Sequence, residues 1–103
     1  MPSSTTPLLS VIIPTRERAQ TLAFTLATAL DQQSGDYEVV VSDNASADHT
    51  ADVVCGMRDR RVRYVCTGRR LSMCGNYEFA LEQALGHYVL FIGDDDAVIP
   101  KAL

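Results

Sequence analysis

Residues 8–42 read LLSVIIPTRERAQTLAFTLATALDQQSGDYEVVVS, and this stretch decides the fold. Its first part, Leu8 to Ile13, is a short β-branched apolar run that ends at Pro14, a pattern typical of a strand buried on both faces. A leucine then recurs at every fourth residue from Leu22 to Leu30, which predicts a helix with one apolar face before Gly35. The valine-rich run Tyr37 to Ser42 predicts the next strand.

The same alternation continues along the rest of the chain. Apolar runs at Val62–Cys66 and Tyr88–Ile92 predict two more strands, and the segment before Gly86 has helical spacing. Ser46 or Asp48 could cap the helix between the second and third strands. Because every connection is short, this order predicts an α/β fold, an open parallel sheet with helices on both faces.

The length and the end of the chain bear on domain organisation. With 103 residues there is room for one small domain. Pro100 suits the first turn of a further helix, yet the sequence stops at Leu103. We therefore expect a flexible leader over residues 1–7 and one incomplete, truncated domain over residues 8–103.

Composition excludes several classes of protein. Apolar residues make up 47% and charged residues 21%, as in ordinary globular chains, and the net charge of −4 argues against a nucleic-acid-binding protein. The start of the chain does not resemble a signal peptide, and no apolar run approaches the ~18 residues of a membrane span. Three cysteines without CxxC spacing predict reduced structural thiols, and the expected location is cytoplasmic.

Unusual polar residues collect where the predicted strands end. They are Pro14 to Arg18 after the first strand, Asp43 to Ser46 after the second, Gly68 to Arg70 after the third and Gly93 to Asp96 after the fourth. Ligands of open parallel sheets bind outside the carboxyl ends of the strands. We therefore expect Thr15, Asp43 and the acids 94–96 to converge on one edge of the sheet.

The run Asp94-Asp95-Asp96 is the strongest chemical signal. The first turn has neither the GxGxxG of dinucleotide folds nor the GxxxxGK[ST] of phosphate loops, so phosphates would be held in another way. Consecutive carboxylates supply the hard oxygen ligands that Mg²⁺ or Mn²⁺ prefers, and such a cation can hold a diphosphate. The alternative is that these acids cap the next helix and face water.

Three blocks carry a resemblance to a known family. LSVIIPTRERAQTL, EVVVSDNASADHTADVV and ALGHYVLFIGDDDAVIP, in this order and spacing, are similar to the nucleotide-binding half of the inverting family-two glycosyltransferases of the GT-A fold. The resemblance covers roughly residues 8–103. It implies a Rossmann-like fold that binds a nucleotide-diphospho-sugar.

The resemblance also implies roles for single residues. Pro14, Thr15 and Glu17 would hold the base and ribose, with Arg18 a lesser candidate. Asp43 would recognise the base, commonly through the uracil N–H. Arg70 lies in a loop that would approach the diphosphate.

The acid run resembles the family's DxD motif, whose acids bind the ribose and the metal. Its register is open, since the literal reading uses Asp94 and Asp96, whereas counting back from Pro100 makes Asp95 the metal ligand. The expected ligands of Mn²⁺ or Mg²⁺ are Asp95 and Asp96, with Asp94 nearest the ribose.

The implied reaction moves a sugar, expected to be UDP-linked, to a glycan or lipid-linked acceptor, with peripheral membrane association of the full-length parent. No catalytic residue is expected within these 103 residues, because the family's base lies downstream, so this chain alone should be inactive. Self-association through uncovered apolar surface is also expected. The alternative is a non-catalytic nucleotide or nucleotide-sugar binding module.

Overall fold

The computed structural model describes residues 7–32 and 36–95. In chain order the elements are β1 (Leu9–Thr15), α1 (Ala19–Leu30), β2 (Tyr37–Asp43), α2 (Thr50–Gly56), β3 (Val62–Cys66), α3 (Met73–Gln83) and β4 (Tyr88–Phe91). The four strands form one parallel sheet in the order β3-β2-β1-β4. The predicted α/β class and the parallel sheet are confirmed.

Helices cover both faces of the sheet because alternate side chains of a strand point to opposite sides. On one face the core contains the odd-numbered residues of β1 and β2, from Val11 to Val41, packed against Leu22 and Leu26 of α1 and Val54 of α2. On the other face Ile12 and Val40 pack against Ala80 of α3. All of these side chains are buried, so the core lies around the two central strands.

Several element boundaries differ from the sequence-based prediction; β2 ends one residue later than expected, at Asp43, and β4 one residue earlier, at Phe91. β1 continues through Pro14 to Thr15 instead of ending at the proline. α3 ends at Gln83 and does not run on toward Gly86, because Ala84 turns to extended backbone and the next N–H, of Leu85, bonds to a carboxylate outside the helix. α1 ends at Leu30, and Gly35, expected near that end, lies outside the described residues.

A buried polar group joins the strands to the end of α3, at the amino-terminal end of the sheet. The Glu38 carboxylate accepts hydrogen bonds from Ser10 Oγ (2.6 Å), Arg63 Nε (2.8 Å) and Leu85 N (2.7 Å). Gly86 N donates in turn to Ser10 Oγ at 2.8 Å. Glu38 and Ser10 are buried, and together with Arg63, Leu85 and Gly86 they form what we call the Glu38 cluster.

Pro14 occupies a position between two neighbouring strands although it has no N–H to donate. In a parallel ladder, successive residues of a strand bond to opposite neighbours. Ile12 O accepts from Ile92 N on the β4 side, and Thr15 O accepts from Asn44 N on the β2 side. Pro14 therefore faces the β4 side, beyond Phe91, where pairing between β1 and β4 has ended.

The outer edge of β4 is apolar and exposed. Its four side chains, Tyr88 to Phe91, are between 36% and 66% exposed, whereas the apolar core residues of β1 and β2 are buried. Within the described ranges no strand pairs with its outer side. Tyr77 of α3 stacks on Phe91 with ring centroids 5.1 Å apart, so the apolar surface continues onto α3.

The cysteines and the helices bear on two further expectations. Cys55, Cys66 and Cys74 are free, but all three are exposed, so the expected structural packing of the thiols is wrong. None of the three helices in residues 7–32 and 36–95 has the length and apolar character needed to cross a bilayer.

Candidate functional site

The strand order places a cleft between β1 and β4. From β1 the chain adds β2 and then β3 on one side, and α3 then returns it to the other side of β1. This reversal is where open α/β sheets bind ligands. A cleft of about 580 Å³ opens there, lined by Pro14, Thr15, Arg16, Arg18, Asn44, Arg70, Leu71, Ser72, Met73, Asn76, Tyr77, Gly93, Asp94 and Asp95.

Asp94 is fixed on the floor of this cleft by residues from two other elements. Thr15 Oγ1, at the end of β1, donates to Asp94 Oδ2 at 2.8 Å, and Thr25 Oγ1 of α1 donates to the Asp94 carbonyl at 3.0 Å. The Asp94 side chain is 13% exposed. The expected convergence of Thr15 and the acid run on one sheet edge is therefore confirmed for Asp94.

Arg18 closes one side of the cleft by pairing with both acids. Its Nε lies 3.8 Å from Asp94 Oδ1, and its NH1 lies 3.4 Å from Asp95 Oδ2. Arg18 and Asp95 are more than half exposed, so water and salt screen this pairing. The guanidinium neutralises part of the negative charge that two adjacent carboxylates bring together.

The donor set is suitable for a divalent cation, although it is small. Asp94 and Asp95 place two carboxylates side by side at the strand end, and Asp96, the other expected ligand, lies outside the described residues. Among residues 7–32 and 36–95, no three acidic, histidine or cysteine side chains are grouped to hold a metal ion. Mg²⁺ is commonly bound by one or two carboxylates together with substrate phosphates, and this pair fits that pattern.

Asp43 lies at the same edge but beneath the cleft. It is the register partner of Thr15, as expected, and it is buried. Its Oδ1 accepts from Ser46 N at 3.1 Å, and its Oδ2 accepts from the Tyr64 hydroxyl at 2.6 Å. Burial and the neighbouring carboxylate of Asp43 raise the pKa of Tyr64, so the phenol stays protonated and donates. Both oxygens of Asp43 thus have partners within the chain.

Glu17 holds the turn after β1 against the turn after β2. Its N–H donates to Ser46 Oγ at 2.8 Å, and its carboxylate accepts from Ala47 N at 2.5 Å. The residue has a φ of 56°, a left-handed conformation that is uncommon outside glycine. Glu17 lines a smaller neighbouring cleft of about 400 Å³ with Arg18, not the main one.

The turn after β2 differs in detail from the predicted helix cap. Asp48 Oδ1 accepts from Thr50 N at 3.0 Å and from the Thr50 hydroxyl, so Asp48 supports the start of α2. The hydrogen bond from the Thr50 hydroxyl holds the pKa of Asp48 below its usual value. Ser46 serves the Glu17 turn instead of capping α2.

Asn44 fixes the loop that carries Arg70. Asn44 Oδ1 accepts from Leu71 N, and its Nδ2 donates to Leu71 O, each at 2.7 Å. Ser72 then caps α3 by accepting from Gly75 N at 3.0 Å. The exposed Arg70 is thereby placed at the cleft, as expected from its position after β3.

Two residues of the site escaped the sequence analysis. Tyr64 looked like an ordinary strand residue, and only the pairing of β2 with β3 brings its hydroxyl to Asp43. Arg16, which the sequence placed only within the polar run Pro14 to Arg18, lines the main cleft, and its Nε is shielded from solvent without a hydrogen-bond partner in the described part of the chain. Its position directly after β1 was the available signal.

Comparison with known proteins agrees with this geometry. Over 100 residues the chain is 36% identical to the Campylobacter jejuni GalNAc(5)-diNAcBac-PP-undecaprenol beta-1,3-glucosyltransferase, a match that covers 94% of this chain and 32% of that protein. S. aureus TarS 1-349, solved in complex with UDP-GlcNAc, superposes with a TM-score of 0.79 at 28% identity, covering 87% of this chain and 27% of TarS 1-349.

A third relative contains a different nucleotide and a metal ion. The Pyrobaculum calidifontis mannosyltransferase PcManGT, in complex with GDP-Man and Mn²⁺, gives a TM-score of 0.78 at 26% identity, covering 89% of this chain and 28% of that one. The chain thus spans about a third of the length of such relatives. The family model described as glycosyl transferase family 2 matches residues 10–103. With the GT-A sheet and the strand-end cleft, that match shows that the chain belongs to glycosyl transferase family 2.

Proposed function

We propose that this chain is the donor-binding part of a metal-dependent, inverting glycosyltransferase that uses a UDP-linked sugar and a lipid-linked or other glycan acceptor. The observation that carries the proposal is the cleft at the β1/β4 reversal, where Asp94, Asp95 and three arginines, Arg16, Arg18 and Arg70, face the same space. Carboxylates for a cation and guanidinium groups for phosphate are the chemistry that a nucleotide diphosphate requires.

Mn²⁺ or Mg²⁺ is the proposed cofactor, with Asp95 and Asp96 as its protein ligands. When bound, such a cation neutralises charge on the departing nucleoside diphosphate. The chain's own contribution is orientation. Thr15 holds Asp94 by a hydrogen bond, and Asp94 is proposed to accept from a ribose hydroxyl with its remaining lone pairs.

Uracil is the proposed base, with Pro14 and Thr15 around the base and ribose and with Glu17 reaching them from the neighbouring cleft. A carboxylate has about four acceptor positions, and Asp43 uses two of them, so it retains capacity for an imide N–H. Because Asp43 is buried, a base would reach it only after the Ser46 turn or Tyr64 shifts. The TarS complex with UDP-GlcNAc supports uridine, and the GDP-Man complex makes guanosine the competing base.

Calorimetry with UDP tests the proposal. UDP with Mn²⁺ should bind the wild type, and chelation should abolish most of the affinity. Asp95→Asn should weaken binding roughly tenfold, because it removes one charge-assisted ligand. Asp52→Asn, an equal charge change at an exposed position on α2, is the matched control. Equal UDP affinity with and without metal would contradict the proposed metal dependence. Tighter binding of GDP than of UDP would contradict uracil as the proposed base.

We expect no sugar transfer to an acceptor from this chain alone. The described acids of the cleft, Asp94 and Asp95, are both paired with Arg18, so neither is a free base for an acceptor hydroxyl. Incubation with UDP-glucose and an undecaprenyl-linked acceptor, followed by mass spectrometry, checks this. Catalytic turnover would show that the base lies within these 103 residues. We propose peripheral membrane association of the full-length protein for one reason, which is that the Campylobacter jejuni relative is named for an undecaprenol-linked acceptor.

We also propose that the outer edge of β4 pairs with a second copy of the chain. Exposed edge strands are normally protected by charges or proline, and the sequence of β4, Tyr-Val-Leu-Phe, has neither. A second β4 would pair with the backbone groups that no strand among residues 7–32 and 36–95 bonds to, and it would bury apolar side chains on both copies. Sedimentation should show dimers that Tyr88→Lys weakens, whereas Phe24→Lys, at an equally exposed aromatic residue of α1, has no effect. A monomeric wild type would refute this interface.

A further inference from the structure

The side chain of Arg18 lies at one side of the cleft, and its side-chain contacts within the described residues are with the cleft acids Asp94 and Asp95. It precedes α1 at the N-cap position but makes no side-chain capping bond. Its structural contacts come from the backbone, since Leu22 N and Thr21 Oγ1 both donate to Arg18 O. The guanidinium reaches out to Asp94 and Asp95 and is 55% exposed.

The two acids have no other cationic partner in the described part of the chain. Arg16 and Arg70 line the same cleft, yet neither forms an ion pair with them. Adjacent carboxylates repel, and the guanidinium relieves that repulsion only weakly, because both it and Asp95 are accessible to water. The pairing is therefore suited to being exchanged.

We propose that Arg18 is the resident counter-cation of Asp94 and Asp95 when no nucleotide is bound, and that its guanidinium would turn toward the diphosphate when a divalent cation occupies Asp95. This inference rests on the proposed function. A doubly charged cation on the Asp95 carboxylate would lie close to a guanidinium whose NH1 is now 3.4 Å from Asp95 Oδ2, and like charges at such a separation repel. A long, exposed side chain can move away, and a phosphate is its natural new partner.

Displacement predicts opposite effects on two affinities. Removing the guanidinium abolishes a competitor for the acids, so Arg18→Gln should bind Mn²⁺ alone about two- to fivefold more tightly. The same change removes a phosphate contact, so Arg18→Gln should bind UDP at saturating Mn²⁺ roughly tenfold more weakly. A simple ligand contact would lower only the second affinity, and a merely structural residue would not move the two in opposite directions.

The experiment measures Mn²⁺ binding by electron paramagnetic resonance and UDP binding by calorimetry. Arg60→Gln removes an exposed guanidinium before β3, outside the cleft lining, and should match the wild type in both measurements. Arg18→Lys retains the charge, so its Mn²⁺ affinity should stay near that of the wild type. Far-UV circular dichroism confirms that each variant is folded.

The outcomes separate the inference from the proposed function. If the wild type binds no Mn²⁺ even with UDP, the proposed function fails, and the inference fails with it. If the wild type binds Mn²⁺ and Arg18→Gln binds it equally or more weakly, the inference alone is overturned. Tighter Mn²⁺ binding together with weaker UDP binding in Arg18→Gln supports both.

Discussion

Replacing the buried carboxylate of Glu38 tests how the sheet is joined to the end of α3. Glu38→Gln keeps the size of the side chain but turns one acceptor oxygen into a donor. Oε2 of Glu38 accepts from Ser10 Oγ and Leu85 N, while Oε1 accepts from Arg63 Nε. Whichever way the amide is turned, its NH₂ group faces at least one existing donor, and the charge that strengthens all three bonds is lost.

The magnitude follows from these bonds. A hydrogen bond to a charged group contributes about 1.5 to 3 kcal/mol, and a buried donor left without a partner costs a comparable amount. We therefore expect Glu38→Gln to lower the free energy of unfolding by about 2 to 4 kcal/mol. That is a large share of the roughly 5 to 15 kcal/mol that stabilises ordinary domains.

Urea unfolding followed by circular dichroism measures this difference. Glu82→Gln, the same charge change at an exposed position on α3, is the control and should alter the free energy of unfolding by less than about 0.5 kcal/mol. Equal stability of the two variants would show that the Glu38 cluster contributes nothing beyond filling space.

The pH dependence gives a second test of the same residue. Burial alone would raise the pKa of Glu38, but the hydrogen bonds from Arg63, Ser10 and Leu85 N outweigh it, so the pKa lies below its ordinary value of 4.5. The stabilisation is therefore complete above pH 4.5 and is lost as the pH falls through the lower folded-state value. The gap in stability between wild type and Glu38→Gln should shrink over that acidic range. A gap that stays constant down to pH 3 would refute the reasoning.

Three further perturbations have definite expected outcomes. Gly86→Ala places a Cβ 2.7 Å from Ser10 N and Oγ, so thermal unfolding should begin well below that of Gly56→Ala, where the new methyl meets no atom within 4 Å. Arg61→Lys removes the two hydrogen bonds from the guanidinium to the Asp59 carboxylate and should lower the free energy of unfolding in urea by about 1 to 2 kcal/mol. The control Arg60→Lys, at an exposed position, should leave it nearly unchanged. The hydrogen bond from Arg61 also lowers the pKa of Asp59 to about 2, so the stability difference between wild type and Arg61→Lys should persist at pH 4. If this difference disappeared between pH 6 and pH 4, the pairing of Arg61 with Asp59 would be contradicted.

The fold class could be predicted from the sequence because the residue patterns that indicate strands and helices are local. Apolar runs and leucine spacing lie within single elements, and the order of elements then predicts a parallel sheet whose carboxyl ends share one edge. Thr15 and Asp94, 79 residues apart, met there as expected. The strand order β3-β2-β1-β4, which puts the cleft between β1 and β4, depends on tertiary packing and was not predicted.

Side-chain contacts that depend on the alignment of neighbouring strands could not be predicted from the sequence. Tyr64 reaches Asp43 only because β3 pairs with β2 in one alignment, and its hydroxyl occupies an acceptor of Asp43 that was expected to bind a ligand. The Glu38 cluster was missed for the same reason. A charged residue inside each of two apolar strands, Glu38 and Arg63, was the available clue, and two such residues in adjacent strands commonly pair.

The proline at position 14 has a consequence for how the cleft keeps its width. Any other residue there would offer an N–H beside Ile92, and one more rung of hydrogen bonding could draw the end of β4 toward β1. Because proline has no backbone N–H, it cannot form that hydrogen bond, and the pairing between β1 and β4 stops before it. The end of the β1–β4 pairing beside the cleft thus depends on the covalent structure of one residue.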